Sequence, residues 1–107
     1  MAPGLPVICI FRSTRTEDSE DEYRIWSQEM DELVGEVPGY QHHYSFRDPV
    51  TREGVTVAYF DDLDAVARWR SNPRHREAQE YGRLAFYEEY SIEVAQVVRQ
   101  YQWERTT

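Results

Sequence analysis

Hydrophobic residues recur along this chain with three spacings, and each spacing predicts a different element. The run VICIF, residues 7–11, is apolar throughout, which is typical of a strand buried on both faces. The segment TEDSEDEYRIWSQEMDELVGEVPG has apolar residues every three or four positions, which predicts an amphipathic helix. Ser19 and Glu22 have the spacing of a capping box at its start, and Pro38 and Gly39 end it.

The next segments alternate between apolar and polar residues, which indicates strands. Strict alternation in YQHHYSF, residues 40–46, places Tyr40, His42, Tyr44 and Phe46 on one face and His43 on the other. The turn-rich DPVTREG and the strand VTVAYF, residues 55–60, then complete a hairpin.

A broken helical region and a last strand follow. DLDAVARWRS is a short helix, and Asn72 with Pro73 is a typical start for a second helical segment, which we expect to run to about Glu89. SIEVAQVVRQYQW, residues 91–103, predicts a long final strand, and its change of phase indicates a bulge near Ala95 and Gln96.

The predicted order is β-α-β-β-α-β, which indicates a ferredoxin-like α+β fold with a four-stranded antiparallel sheet. We expect a single domain over residues 1–107, with its core in about 7–103. Helices cover one sheet face only, and the first strand is apolar on both sides. The uncovered face therefore predicts a homodimer, with Tyr101 or Trp103 of the last strand reaching the partner.

Charge and composition exclude several kinds of partner. The net charge is −8 and every cation is an arginine, so nucleic acid and anionic membrane surfaces are disfavoured. Cys9 is the single cysteine, which excludes an internal disulfide bond. No apolar run reaches the roughly 20 residues that span a bilayer, and no signal peptide is evident, so we expect a cytoplasmic protein.

The stretch RWRSNPRH, residues 68–75, holds the main candidates for chemistry. At helical spacing His75 shares an apolar arc with residues 78, 81, 82, 85 and 86, including Phe86. The positive helix start favours a neutral imidazole, which can exchange a proton with a substrate. The alternative is a histidine at the core edge that bonds to the backbone. Trp69 likewise suits either a pocket wall or ordinary packing.

The other two histidines do not predict a metal site. His42 and His43 are neighbours on a strand, so they point to opposite faces, and no metal-binding spacing accompanies them. We expect His42, on the face of Tyr44, to reach the same space as His75. Hydrolase, kinase and dinucleotide-binding motifs are also absent from the sequence.

The chain resembles the antibiotic biosynthesis monooxygenase family over about residues 7–103. The resemblance rests on the first strand, PGY at residues 38–40, VAYFDDLDAVARWRSNPRHREA and the closing VRQYQW. It implies a dimeric α+β barrel with a pocket between sheet and helices in each subunit. Some members are cofactor-independent monooxygenases that oxidise phenolic polycyclic compounds to quinones, whereas others bind and degrade haem.

Residue by residue, the resemblance is partial. Trp69 matches the pocket tryptophan of quinone-forming members, but His75 stands where they have a tyrosine, and their later arginine falls at Glu89. Haem-degrading members have a ligand histidine where this chain has Gln79, and an asparagine in strand one where it has only residues 7–9, VIC, so we expect no tight haem complex.

The sequence therefore favours a cofactor-independent monooxygenase that oxidises a small or polycyclic phenolic substrate with O₂. We assign His75 and Trp69 to catalysis. The candidate substrate-binding residues are His42, Tyr44, Tyr59 and Phe86. No cofactor and no metal are expected. The alternatives are a non-catalytic dimer that binds a small molecule or haem, and a structural or stress-related protein.

Overall fold

The computed structural model describes residues 4–106, which form one antiparallel sheet with helices on one face. In chain order, the elements are β1 (Val7–Arg15), α1 (Glu20–Val34), β2 (Tyr40–Arg47), β3 (Glu53–Phe60), α2 (Leu63–Ser71), α3 (Pro73–Tyr81), a π-helical turn (Gly82–Phe86) and β4 (Tyr87–Gln96). The strand order β2-β3-β1-β4 is the ferredoxin-like arrangement, so the predicted fold is confirmed. No helix within residues 4–106 is long and apolar enough to cross a membrane.

The strand register separates the two faces of the sheet. Cys9 lies opposite Ala58 on β3 and opposite Val94 on β4, and Ala58 in turn lies opposite His43 on β2. Residues opposite one another in an antiparallel pair share a face. These four side chains therefore form a row on the helix side of the sheet.

The core lies between this helix side and α2. Val7, Val34, Phe60, Ala65 and Val66 are buried together, and Phe60 is 0% exposed. Trp69 packs against the edge of this cluster. The core therefore fixes α2 on the sheet and with it the position of the tryptophan.

Gly39 is needed where α2 approaches the turn after α1. Its φ is +93°, and an added Cβ would lie 2.6 Å from the Cβ of Ala65, which is fully buried. Only glycine fits both the backbone conformation and the close approach. The PGY segment, residues 38–40, thus allows α2 to pack closely against the turn after α1.

Local capping was predicted correctly for α3 but wrongly for α1. The side chain of Asn72 accepts hydrogen bonds from the backbone N–H groups of Arg74 and His75, and Pro73 is the first helical residue, as expected. Ser19 instead has a φ of 59° and makes no capping bond with its side chain, so the predicted capping box is wrong. The bond expected from the backbone N–H of Glu22 to the Ser19 hydroxyl is therefore absent.

The last strand differs from its prediction at both ends. It begins at Tyr87, directly after the π-helical turn, and ends at Gln96, whereas residues 97–106 have no regular structure. The bulge expected near Ala95 and Gln96 lies instead at Glu88, where the pairing with β1 shifts. Tyr101 and Trp103 are 81% and 74% exposed.

A second bulge, at Gln41, changes the faces of β2. Tyr40 lies opposite Phe60 and His42 opposite Tyr59, so one residue of β2 is extra. Tyr40 therefore shares the helix side with His43, and the prediction that it shares a face with His42 is wrong. This bulge decides which histidine faces the helices.

Candidate functional site

A cavity of about 390 Å³ lies between the helices and the helix side of the sheet. This volume is within the range of small-molecule pockets, roughly 300–1,000 Å³. Aromatic side chains make up much of its wall, among them Trp26, Trp69, Phe86, Tyr87 and Tyr90. The charged or titratable groups of the lining include His75, His43, Arg47, Arg70 and Asp31. The cavity thus combines flat apolar surfaces with a small number of charged or titratable groups.

Trp69 and His75 form a stacked pair on one wall of this cavity. Their ring centroids are 3.9 Å apart and their planes differ by 13°. Nδ1 of His75 lies 2.9 Å from the carbonyl oxygen of Trp69. The imidazole is therefore held both by ring contact and by a hydrogen bond to the end of α2.

Pro73 explains why the Trp69 carbonyl is available to the histidine. In a continuous helix this carbonyl would accept from the N–H four residues later, but residue 73 is a proline and has no N–H. Asn72 adopts an extended ψ of 123°, and the chain bends there before α3 begins. The bend brings His75 back onto the last turn of α2, where its ring bonds to a carbonyl that also accepts from the N–H of Asn72 at 3.2 Å.

This hydrogen bond sets the tautomer of His75. A carbonyl oxygen only accepts, so Nδ1 carries the proton and Nε2 of the neutral ring is an acceptor. Nε2 has no hydrogen-bond partner among residues 4–106, and no buried side-chain nitrogen or oxygen in that range lacks one. Nε2 is therefore accessible, on a residue that lines the cavity.

The environment keeps the His75 ring neutral. Burial lowers the pKa of His75 below its ordinary value of 6.5, and the bond to the Trp69 carbonyl opposes this effect only in part. At neutral pH the residue is thus an uncharged base. It can accept a proton through Nε2 while Nδ1 remains bonded to the backbone.

His43 also lines the cavity, but both of its nitrogens are occupied. Nε2 lies 3.2 Å from Oδ1 of Asp31, and Nδ1 lies 2.6 Å from the hydroxyl of Tyr40. Sequence reasoning missed this residue because strict alternation gave the inward position to His42. The tyrosine–histidine–aspartate arrangement leaves no free acceptor on the ring.

Three of the predicted substrate-binding residues lie outside this cavity. His42, Tyr44 and Tyr59 contact one another on the sheet face opposite the helices, where His42 stacks on Tyr59 at 4.5 Å. The expectation that His42 reaches the space of His75 is therefore wrong, because the sheet separates them. Phe86 does line the cavity, although only 2% of its surface is exposed.

The structure offers no cluster of metal ligands in the part of the chain it describes. Within residues 4–106, no three side chains of histidine, cysteine, aspartate or glutamate converge. Burial raises the pKa of the Cys9 thiol, so at neutral pH it is protonated and a poor nucleophile. The chemistry of the cavity thus centres on its imidazoles, its phenols and the guanidinium groups of Arg47 and Arg70.

Comparison with known proteins identifies relatives of this arrangement. The sequence model of a family described as antibiotic biosynthesis monooxygenase matches residues 6–81. The chain is 32% identical over 105 residues to YqjZ, an uncharacterized protein of Bacillus subtilis (strain 168), and the match covers 98% of the chain and 91% of YqjZ.

Solved structures share the fold at low sequence identity. SnoaB, a cofactor-independent oxygenase from Streptomyces nogalater, superposes with a TM-score of 0.73 at 20% identity, covering 94% of this chain and 99% of that one. Rv0793 from Mycobacterium tuberculosis gives a TM-score of 0.78 at 14% identity, with 91% and 99% covered. At these identities the likeness concerns the fold.

Proposed function

The chain belongs to the antibiotic biosynthesis monooxygenase family, and on that premise we propose that it is a cofactor-independent monooxygenase of phenolic aromatic substrates. The observation that carries the proposal is the accessible Nε2 of His75, on a neutral imidazole beside a tryptophan in an aromatic cavity. SnoaB, which shares the fold, is a cofactor-independent oxygenase.

In the proposed reaction His75 acts as the general base. Nε2 takes the proton of a substrate hydroxyl, and the resulting phenolate is rich enough in electrons to reduce O₂. The substrate gains one oxygen atom and loses two hydrogen atoms, and the second oxygen atom leaves as water. A hydroxyarene and O₂ thus give a quinone and H₂O, and the substrate itself supplies all four electrons.

Trp69 and the aromatic walls position the substrate in this scheme. The indole stacks on the base, so a ring bound beside it has its hydroxyl near Nε2. Phe86 and Tyr87 line the same space and exclude water from the reacting atoms. Flat apolar walls of this kind favour fused aromatic rings over flexible ligands.

We further propose that the protein acts as a homodimer through the sheet face that the helices leave open. Ile8, Ile10, Val55 and Val57 alternate onto that face with Tyr59. Tyr44 and Phe46 extend it and are 54% and 70% exposed. Contiguous exposed apolar surface of this kind is typical of a protein–protein interface. His42, Tyr44 and Tyr59 then serve the interface.

Oxygen uptake with purified protein tests the proposed activity. A panel of hydroxylated naphthalenes and anthracenes is supplied without flavin, haem or added metal. We expect equimolar consumption of O₂ and substrate, with a quinone product. His75→Gln should slow uptake by about 100-fold or more, the usual contribution of a general base. The matched control is His43→Gln, which alters the other cavity histidine and should retain most of the rate.

The same experiment separates the proposal from a protein that only binds. Tight binding of panel members without any oxygen uptake would refute the enzymatic function. Equal losses in the two histidine variants would refute the assignment of the base to His75. Titration with haem is the further control, because a stable Soret band lost in His75→Ala would indicate haem binding instead.

A further inference from the structure

Arg47 places a fixed positive charge on the helix side of the sheet. It is the last residue of β2, and its guanidinium crosses β3 to reach β1. There it donates to the carbonyl oxygen of Ser13 at 3.1 Å, to the Ser13 hydroxyl at 2.9 Å and to the Arg52 carbonyl at 2.9 Å. The three bonds hold the group in one position.

Gly54 makes room for this arrangement. It lies opposite Arg47 in the register, and an added Cβ would be 2.6 Å from Cζ of the arginine. The guanidinium therefore lies flat over a position without a side chain. Only a residue of this size lets the cation cross the strand.

No carboxylate within residues 4–106 lies within ion-pair distance of Arg47, although Asp48, Glu53 and Glu89 line a neighbouring cavity with it. Three arginines in residues 4–106 are not exposed: Arg15, Arg47 and Arg52. Arg15 and Arg52 both form ion pairs with Glu20, whereas no carboxylate in the described part of the chain pairs with Arg47. Withdrawing a cation from water without a compensating charge is costly. A ligand anion would supply that charge.

Arg47 and the stacked pair lie towards opposite ends of the cavity. Trp69 packs against the core cluster near Cys9, whereas Arg47 is bonded to Ser13, four residues further along β1 and roughly 13 Å away along the strand. Arg47 is close enough to Tyr87 for its charge to act on the phenol, although burial still raises the pKa of Tyr87. The cavity thus has a basic imidazole towards one end and the half-buried cation of Arg47 towards the other, whereas Arg70, next to Trp69, is exposed.

We propose that Arg47 binds a carboxylate on the substrate, so that the preferred substrates are hydroxylated aromatic acids. The inference rests on the proposed function, in which the hydroxyl of the same molecule faces His75. Three of the five N–H groups of the guanidinium are bonded to the protein, and two are left for a carboxylate. A planar guanidinium held in place suits this anion better than a mobile lysine would.

Isothermal titration calorimetry with one matched pair of ligands tests the proposal without turnover. The probes are 6-hydroxy-2-naphthoate, which has its hydroxyl and carboxylate at opposite ends of a rigid frame, and its uncharged methyl ester. We expect the wild-type protein to bind the acid at least about tenfold more tightly than the ester, as one charge-assisted contact allows. Arg47→Gln should abolish that preference. Arg76→Gln, an equal change of charge at an exposed residue outside the cavity, should keep it.

Each outcome decides the matter. Equal binding of acid and ester by the wild-type protein, or binding of neither, overturns the proposal even if Arg47→Gln fails to fold. A preference that survives in Arg47→Gln overturns it as well. If Arg47→Gln no longer dimerises but its preference for the acid is unchanged, the counter-ion of Arg47 lies on the partner subunit and the proposal is overturned. Binding of the acid through Arg47 without oxygen uptake would refute the enzymatic function and leave the anion site standing.

Discussion

Replacing Asn72 with alanine removes the cap that starts α3 and fixes the backbone of His75. The Asn72 side chain accepts from the N–H of Arg74 at 2.9 Å and from the N–H of His75 at 3.2 Å. Loss of such a cap costs about 1 kcal/mol on average and up to about 2 kcal/mol. Because both N–H groups lose their partner, and that of His75 is partly buried, we expect the free energy of unfolding to fall by about 1–2 kcal/mol.

Urea unfolding followed by far-ultraviolet circular dichroism measures this cost. Each kcal/mol also lowers the thermal midpoint by roughly 4–8 °C in a domain of about this size. Variants are compared at one protein concentration, since a dimer gains stability with concentration. Asn72→Asp is the matched control, because its carboxylate keeps the acceptor and suits the positive helix end, so it should remain within about 0.5 kcal/mol of wild type. If the alanine and aspartate variants were equally stable, the capping argument would fail.

Lower pH should destabilise the protein through His75, because burial lowers its pKa in the folded state from an ordinary 6.5. The stability that the neutral ring contributes is complete above pH 6.5 and is lost as the pH falls through the lower pKa of the folded state. Between pH 7 and pH 5 the urea midpoint should therefore fall less in His75→Gln than in the wild-type protein. Equal falls in the two proteins would contradict this reasoning. Gly39→Ala should cost about 2–4 kcal/mol, from positive φ and overlap with Ala65, while Gly4→Ala, with open space around it, should be neutral in the same unfolding assay. Alkylation of Cys9, whose thiol pKa is raised by burial, should be slow in the folded protein and slower with 6-hydroxy-2-naphthoate bound, and an unchanged rate would place the ligand elsewhere.

Features that depend on neighbouring residues were predictable from the sequence. Asn72 and Pro73 start a helix through contacts within three residues, and helical spacing within α3 places His75 and Ala78 on the cavity side. The predicted arc does not extend through residues 82–86, because these form a π-helical turn with a different spacing. The order of strands and helices, and hence the fold, rests on similar local patterns. The bond from His75 to Trp69 also has a local cause, since Pro73 lacks the N–H that would bond to this carbonyl in a continuous helix.

Features that depend on distant strands were not predictable in the same way. The bulge at Gln41 arises from the pairing of β2 with β3. Because of it, His43 lines the cavity, whereas strict alternation predicted His42 there. β4 begins at Tyr87 because that segment pairs with β1, although its sequence also suits the end of a helix. The position of Arg47 depends on Gly54, which lies on another strand.

The pH dependence of kcat/KM for oxygen uptake tests most directly whether His75 is the base. A base acts only in its unprotonated form, so kcat/KM of the wild-type protein should fall as the pH drops below 6.5 and through the lowered pKa of His75. We predict that the residual activity of His75→Gln lacks this fall and that His43→Gln retains it. An equal fall at low pH in the wild type and in His75→Gln, or none in the wild type, would contradict the assignment of His75 as the base.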